Sequence, residues 1–442
     1  MRRPCSFTVL TLSFILGALP ATATQEKVSG IPALLLIEHQ GQGSLDQQIR
    51  SCQLKLKTTT MPGAELERLA WLFVAKARVS SDPGFYILAA SAADALEQKF
   101  GMENQALLLR GHVLQTRHRF AEAEIAGRKL VASRGAASDF ALLGDALYDE
   151  GRIGEAAEAY QKMVDLKPSL DSYARAANIR WIKGDLTGAI EVQTLAVRAG
   201  GPGDPGASAW CLVRLAQLVW QQGNAAAAME LVQQALGRAP EFEPALLLQG
   251  RLLLASGRAV DALIPLARAA TILPLPEPRW VYADALRATG HEADALAVEH
   301  LLIAEGIAED PRTVALFLAT RGQDPKNAVE LAVAELKTRG DIMTHSAVAL
   351  ALASAGRTDE ALVHQQAALS EGTVDARLLL HAGRVAVLAN QPNASDLLNR
   401  ARRLAPMLFP SERKLLDDSF SLIPASSGSA DTGHIATRQK TS

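Results

Sequence analysis

Three cysteines in 442 residues are too few for a disulfide-stapled mini-domain or a four-cysteine zinc module. Aromatic residues make up only 5% of the chain. The 48% hydrophobic content therefore rests on Ala and Leu, a composition suited to close-packed helices. Neither sign of charge dominates: 45 Lys+Arg stand against 47 Asp+Glu, which argues against a basic nucleic-acid cleft or a polyanionic tail. Beyond the first twenty residues, no apolar run is long enough to span a bilayer. Catalytic motifs are missing as well: there is no G-x-S-x-G elbow, phosphate loop, H-E-x-x-H or C-x-x-C. His291-Glu292 has no second histidine at zinc spacing, and His112 and His118 do not share a helical face. No metal, cofactor or catalytic site is expected.

What the chain does have begins with an address. Arg2 and Arg3 precede an apolar run from Phe7 to Leu19, then Pro20 and the small residues Ala21-Thr22-Ala23. This is the layout of a secretory signal peptide, with cleavage expected after Ala23. The mature chain is then exported, to the periplasm or outside the cell, without a membrane span. Export permits disulfides, but Cys52 and Cys211 are expected several structural units apart and read as small apolar fillers. Residues 24–63 form an N-terminal segment in which Ser44-Leu45-Asp46-Gln47 looks like a capping box opening a helix through about Lys57. Residues 409–423 are expected to form a short cap, and the tail 424–442, which begins at Pro424, has almost no apolar content and is expected to be disordered.

The long middle, 64–408, is periodic. Ala123, Ala156, Ala189, Ala228, Ala262, Ala295, Ala328 and Ala361 open similar strings, such as RIGEAAEAY and RAVDALIPL. All but one of their spacings are 33 or 34 residues. The exception, 39, contains Gly200-Gly201-Pro202-Gly203-Asp204-Pro205-Gly206, read as an inserted loop. A further unit fits upstream at Ala89 and a degenerate one downstream near Ser395. Five residues before the alanine stands a glycine, as at Gly151, Gly184, Gly223, Gly257, Gly290 and Gly356. Twelve before it stands a small residue: Gly111, Gly144, Ala177, Ala216, Gly250, Ala283 or Ala349. Pro168, Pro240 and Pro274 close three units. Each unit reads as helix, glycine turn, helix and stop, the small residues allowing two antiparallel helices to approach.

This pattern resembles the tetratricopeptide repeat. The resemblance implies an all-α, right-handed superhelical solenoid of about nine to ten antiparallel helix pairs, and a role in protein–protein interaction. Most of the family's aromatic packing slots hold Leu, Val or Ala here, Tyr160 being an exception. The unit at 310–337 departs furthest, with Leu316 in a small-residue slot and Gln323 in the glycine slot; looser packing is expected there.

In a stacked helical-repeat superhelix the first helix of each pair lines the concave face, which usually binds ligands. Positions eighteen, fifteen, eleven, eight and seven before each alanine share one face of that helix. All five tryptophans fall there: Trp71, Trp181, Trp210, Trp220 and Trp280. The same positions supply His112, Gln115, Asp145, Tyr148, Asp149, Asn178, Gln217, Arg251, Asp284 and Arg287. Aromatic anchors among mixed polar groups suit a peptide-binding interface, and a protein or peptide partner of unknown identity is the expected ligand. Two other readings stay open: the rings fill space between neighbouring first helices, or they stack on the sugars of a carbohydrate or envelope polymer. Trp210 and Trp220, about three turns apart on one helix, are expected on one strip. Arg339-Gly340-Asp341, an adhesion tripeptide by letters, and the glycan-acceptor pattern Asn393-Ala394-Ser395 read as coincidences of position.

Overall fold

The computed structural model describes residues 30–423, apart from 81 and 202 and the side chain of 79. The expected signal peptide and the tail from 424 lie outside these residues. Among the described residues there are 22 α-helices, two short 3-10 turns and no strand. They form two compact units, the first ending at Arg117 and the second beginning at His118.

In the first unit, α1 (Ser44–Leu56), α2 (Pro62–Ser80), α3 (Gly84–Phe100) and α4 (Glu103–Thr116) pack each on the next. The start of α1 corrects the expected cap. Ser44 is already helical, and the backbone N–H of Gly43 donates to the Asp46 carboxylate at 3.0 Å. Asp46 also meets Lys76 Nζ and His39 Nε2, each at 2.7 Å. These partners, Lys76 first and His39 second, hold its carboxyl well below the usual range. The buried Gln53 amide donates to the carbonyls of Leu35 and Ile37 and so fixes the 3-10 turn Ala33–Leu36. Cys52 and Cys211 are free and buried, and burial above all pushes each thiol up to about 12.

The second unit contains α5 (Phe120–Ser133), α6 (Ala137–Asp149), α7 (Ile153–Leu166), α8 (Leu170–Ile182), α9 (Leu186–Ala199), α10 (Pro205–Gln221), α11 (Ala225–Arg238), α12 (Glu243–Ala255) and α13 (Ala259–Ile272). It continues with α14 (Pro276–Ala288), α15 (Glu292–Glu309), α16 (Pro311–Arg321), α17 (Pro325–Leu336), α18 (Ile342–Ser354), α19 (Thr358–Ala368), α20 (Ala376–Leu388), α21 (Ala394–Arg403) and α22 (Pro410–Ser421). The pairs run from α6/α7 to α20/α21 as an α-solenoid of antiparallel helices. Their phase follows the alanines: the first helix ends seven residues before each alanine from Ala156 to Ala361, and the second opens three before it.

The reason is steric. All nine alanines from Ala89 to Ala361 are 0% exposed. A Cβ placed on Gly144 would lie 2.4 Å from the Tyr160 ring, and one on Gly250 only 2.3 Å from Leu266 Cγ. The small residue of the first helix thus receives a bulky side chain standing four residues after the signature alanine. Two of the turn glycines, Gly151 and Gly184, also make room for a neighbouring stretch of backbone. Gly151 has φ +81°, and a Cβ there would also strike the Gly340 carbonyl oxygen.

Two expectations are modified. Only part of the insertion at 200–206 is loop, because Pro205 and Gly206 begin α10, whose first residues add about one turn relative to α8 and α12. Asp204 caps this extension by accepting the Ala207 N–H at 2.9 Å. In the divergent unit, the positive φ passes from the Gln323 slot to Gly322 and Asp324. The helix there is not loose: every residue from Thr313 to Thr320 is buried.

The second unit also closes on itself. Gly340 N–H donates to the Asp149 carbonyl at 3.0 Å, and Thr373 Oγ1 donates to the Ile182 carbonyl at 2.5 Å. Lys183 pairs with Glu371, and the Gln221 amide donates to the Val374 carbonyl. The ends of the early first helices therefore meet the turns that precede α18 and α20. The tripeptide Arg339-Gly340-Asp341 is part of this seam. Arg339 binds Asp149, and the buried Asp341 caps α18 through the N–H groups of Met343 and Thr344.

If the small residues set the helix crossings, Gly250→Leu should cost about 1–3 kcal/mol or more, because Leu266 is fully enclosed. Pro205→Ser, at the exposed start of α10, should cost far less. Urea denaturation of both variants compares them, and a larger loss for Pro205→Ser would contradict this packing.

Candidate functional site

The inner line of the first helices in the second unit is a ladder in which an arginine of one helix reaches a polar or aromatic group on the helix before it. Arg175 on α8 binds the Asp145 carboxylate of α6 through Nε and Nη2, both at 2.7 Å. Arg214 on α10 reaches Asn178 Oδ1 of α8 at 3.3 Å and lies 5.6 Å from the Trp181 ring centre. It also donates to Gln217 Oε1 on its own helix at 2.5 Å. Arg251 on α12 covers the Trp220 ring of α10 at 5.6 Å. Arg321 on α16 donates to Asp284 of α14 at 2.6 Å. Burial dominates the electrostatics, lowering the basicity of Arg214 and Arg251 and raising the carboxyl of Asp284 despite Arg321 beside it.

The C-terminal half of this line is not open. Phe409 has extended backbone, with φ −66° and ψ 158°, and its ring is 2% exposed. That ring meets the Trp280 ring edge-on at 5.3 Å, with the Arg377 and Arg251 guanidinium carbons 4.0 and 5.1 Å from its centre. Trp280 Nε1 donates to Ser411 Oγ at 2.8 Å. Ser411 donates to Asp284 Oδ2 from its backbone N–H at 2.9 Å and from its hydroxyl at 2.6 Å. Arg251 Nη2 donates to the Met407 carbonyl at 2.9 Å. Glu412 pairs with Arg377 at 2.5 Å and accepts the Phe409 N–H at 2.8 Å. From this anchor, α22 runs on across α14, α16, α20 and α21.

The residues marked by sequence phase therefore divide. Arg251, Trp280 and Asp284 converge on one short segment of the same chain. Trp280 is 0% exposed and Trp220 is 4% exposed, so these two rings pack and do not line an open groove. Trp210, at 41%, is exposed in the lengthened start of α10; it and Trp220 do not form one strip. Trp181 is half-buried, its Nε1 donating to Gln221 Oε1 at 2.8 Å, and with Tyr148 it packs against Ile182, Ile342 and Leu378. Asp149 is engaged by Arg339. Arg287 turns back to its own pair, bound to Glu299 and Glu292, and these acidic partners raise its basicity. In the first unit, Trp71 and His112 meet edge-on with ring centres 4.9 Å apart, and Gln115 lies partly buried on the same helix as His112.

Scattered rings, one exposed and two enclosed, do not make the continuous platform that sugar stacking requires. Among the described residues no group of three or more metal-ligating side chains converges, and no helix is long and apolar enough to cross a membrane. Arg175 and Arg214 were missed at the sequence level, although both stand fourteen residues before their alanines. Arg377 stands eighteen residues before Ser395, at a marked phase of the degenerate last unit, but nothing periodic marked Phe409, Ser411 or Glu412.

Comparison with known proteins agrees with the phase. Residues 141–205 and 213–275 match the family model of the tetratricopeptide repeat. Over those residues the chain carries tetratricopeptide repeats, and the same helix phase runs on to α19. Among solved structures it is similar to a thermophilic TPR protein of Thermus thermophilus, at 16% identity over 43% of this chain and 99% of that one, TM-score 0.37. It is also similar to a chain of the APC/C hetero-tetramer Cut9–Hcn1, at 13% identity over 85% and 90%, TM-score 0.36. A third likeness is to the human IFIT1 dimer with PPP-AAAA, at 15% identity over 88% and 96%, TM-score 0.46. These likenesses concern the fold alone. No curated protein matches the sequence.

Two measurements test this geometry. Trp280→Ala and Trp220→Ala should each lose about 3–5 kcal/mol of folding stability, whereas Trp210→Ala should change it by less than about 1 kcal/mol. Equal losses in chemical denaturation would contradict the division between packed and exposed rings. The second concerns Glu243, on α12, whose carboxyl burial pushes from 4.5 up to about 8, with Glu277 adding to the effect. The folded state holds this proton more tightly than the unfolded chain. Its stabilising contribution is complete below about pH 4.5 and is lost as the pH rises through about 8. Glu243→Gln should remove that loss, so its advantage in thermal unfolding over the wild type should grow from pH 5 to pH 8.5.

Proposed function

We propose that the protein is an exported, non-catalytic scaffold that binds a protein or peptide partner through the inner line of its first helices. The observation that carries this reading is that Arg251, Trp280 and Asp284, on two successive first helices, hold the turn into α22, from Met407 to Ser411, by ring contact and directed hydrogen bonds. Those are the elements of peptide recognition: aromatic anchoring for affinity and polar groups for register. Tetratricopeptide repeats are commonly protein-interaction modules, which supports the reading at the level of the fold. Export rests on the sequence alone, on Arg2-Arg3, the run Phe7–Leu19 and the small residues before Thr24.

The test uses the full chain made in its own cell with a photo-crosslinking residue in place of Trp210, exposed on a first helix, or of Ile264, exposed on the second helix of a pair. Illumination of the exported fraction should give a discrete polypeptide adduct from position 210 and none from 264, on a protein whose N-terminus is Thr24. A polysaccharide adduct, identical adducts from both positions, or an intact N-terminus on protein confined to the cytoplasm would each overturn the corresponding part of the reading.

A further inference from the structure

The segment that occupies the inner face is held differently from a helix that merely seals the end of a repeat array. Sealing needs apolar contact and a polar outer side. Here three of four consecutive residues are each read by a different chemistry. The Phe409 ring lies beside two guanidinium groups and edge-on to an indole, a cation–π and aromatic contact. Pro410 opens α22 at a position where a missing N–H costs nothing. Ser411 gives both of its donors to one carboxylate oxygen of Asp284 and accepts from Trp280 Nε1. Glu412 faces Arg377. The reading residues come from three separate first helices, α12, α14 and α20.

The site also has more capacity than its occupant uses. Arg251 Nε and Arg377 Nη2 are enclosed and have no hydrogen-bond partner, and the nearest other carboxylate, Glu277, stands 3.9 and 3.7 Å from their guanidinium groups. A buried donor left unpaired costs about 1–3 kcal/mol. A ligand that keeps the aromatic, hydroxyl and acidic groups and brings one more acceptor gains what the resident segment leaves unmade.

Resting on the scaffold reading above, we propose that the inner face of the second unit is a docking site for a peptide carrying an aromatic residue, proline, a hydroxyl residue and a carboxylate in that order, and that Phe409-Pro410-Ser411-Glu412 is a resident copy which this partner displaces. Arg251, Trp280, Asp284 and Arg377 are its specificity-determining residues. The occupied state is then the resting state. Apparent affinity for a partner is lowered by the fraction of molecules in which the resident segment is docked.

The experiment uses the full chain and a fluorescently labelled synthetic peptide with the sequence of residues 404–423. Fluorescence anisotropy should show weak binding to the wild type and binding about tenfold tighter or more to a Phe409→Ala/Ser411→Ala chain, the scale expected when hot-spot contacts of the resident copy are removed. Asp284→Asn added to that chain, or Phe→Ala in the peptide, should lose the gain. A doubly substituted chain that is folded by circular dichroism yet binds no better than the wild type would overturn the proposal. So would equal binding of the Phe→Ala peptide, or wild-type dimers formed by exchange of the segment. If the doubly substituted chain does not fold, hydrogen exchange on the wild type decides. Excess peptide should strip protection from residues 407–421, and unchanged protection would overturn the proposal. A discrete polypeptide adduct from position 210 without peptide binding would leave the scaffold intact and remove only this site.

Discussion

Everything in the repeat array depends on one contact: a residue without bulk at the crossing of two antiparallel helices. At Gly144 and Gly250 there is no room even for a methyl group, because Tyr160 and Leu266 fill the space. Each signature alanine closes the same crossing from the second helix. Once that distance is fixed, the phase of the inner line follows, since positions three and four apart on the first helix can point only one way. Arg175 and Arg214 stand at one phase and make the same kind of reach. They translate a packing rule into a ladder of polar contacts.

The fold was legible because its controlling contacts lie within one or two repeats of each other. A period of 33 residues repeats its own evidence, and a single divergent unit does not obscure it. Gln323 in the glycine slot is a case in point, since Gly322 carries the same conformational burden one residue earlier. The phase of Arg251, Trp280 and Asp284 was legible on the same grounds. What faces them was not. Asp284 and Ser411 are 127 residues apart, and Thr373 and Ile182 are 191 apart; periodicity carries no information at such separations. One local signal did exist: α18, Ile342–Ser354, is apolar on nearly every side, which is the signature of a helix enclosed all round.

The polar interior explains why the closed arrangement is specific. Apolar surfaces alone would accept α22 in several positions, since burial is proportional to area and without direction. Asp284, placed between Arg321 and Ser411, has one arrangement that satisfies both of its oxygens. Arg377 must meet Glu412 while lying over Phe409. Buried charges of this kind are costly when unpaired, so a register error of one residue in α22 would leave several of them exposed to that penalty at once. The interior polar groups thereby decide where the segment sits, and the apolar side chains supply the driving force for it to sit at all.

A row of repeats ordinarily folds as a chain of neighbours, and each unit can form as soon as the one before it exists. The seam between Asp149 and Gly340, and the anchoring of Phe409 against Trp280, break that locality. Synthesis runs from the N-terminus, so α6 to α14 emerge long before the residues that cover their inner side. Until Phe409 arrives, two indole rings and several arginines face an unfilled hollow. This is a nascent surface of the kind on which folding chaperones and mispaired chains act. Closure of this row is therefore a late event, made when Phe409 and α22 turn an open inner side into a covered one.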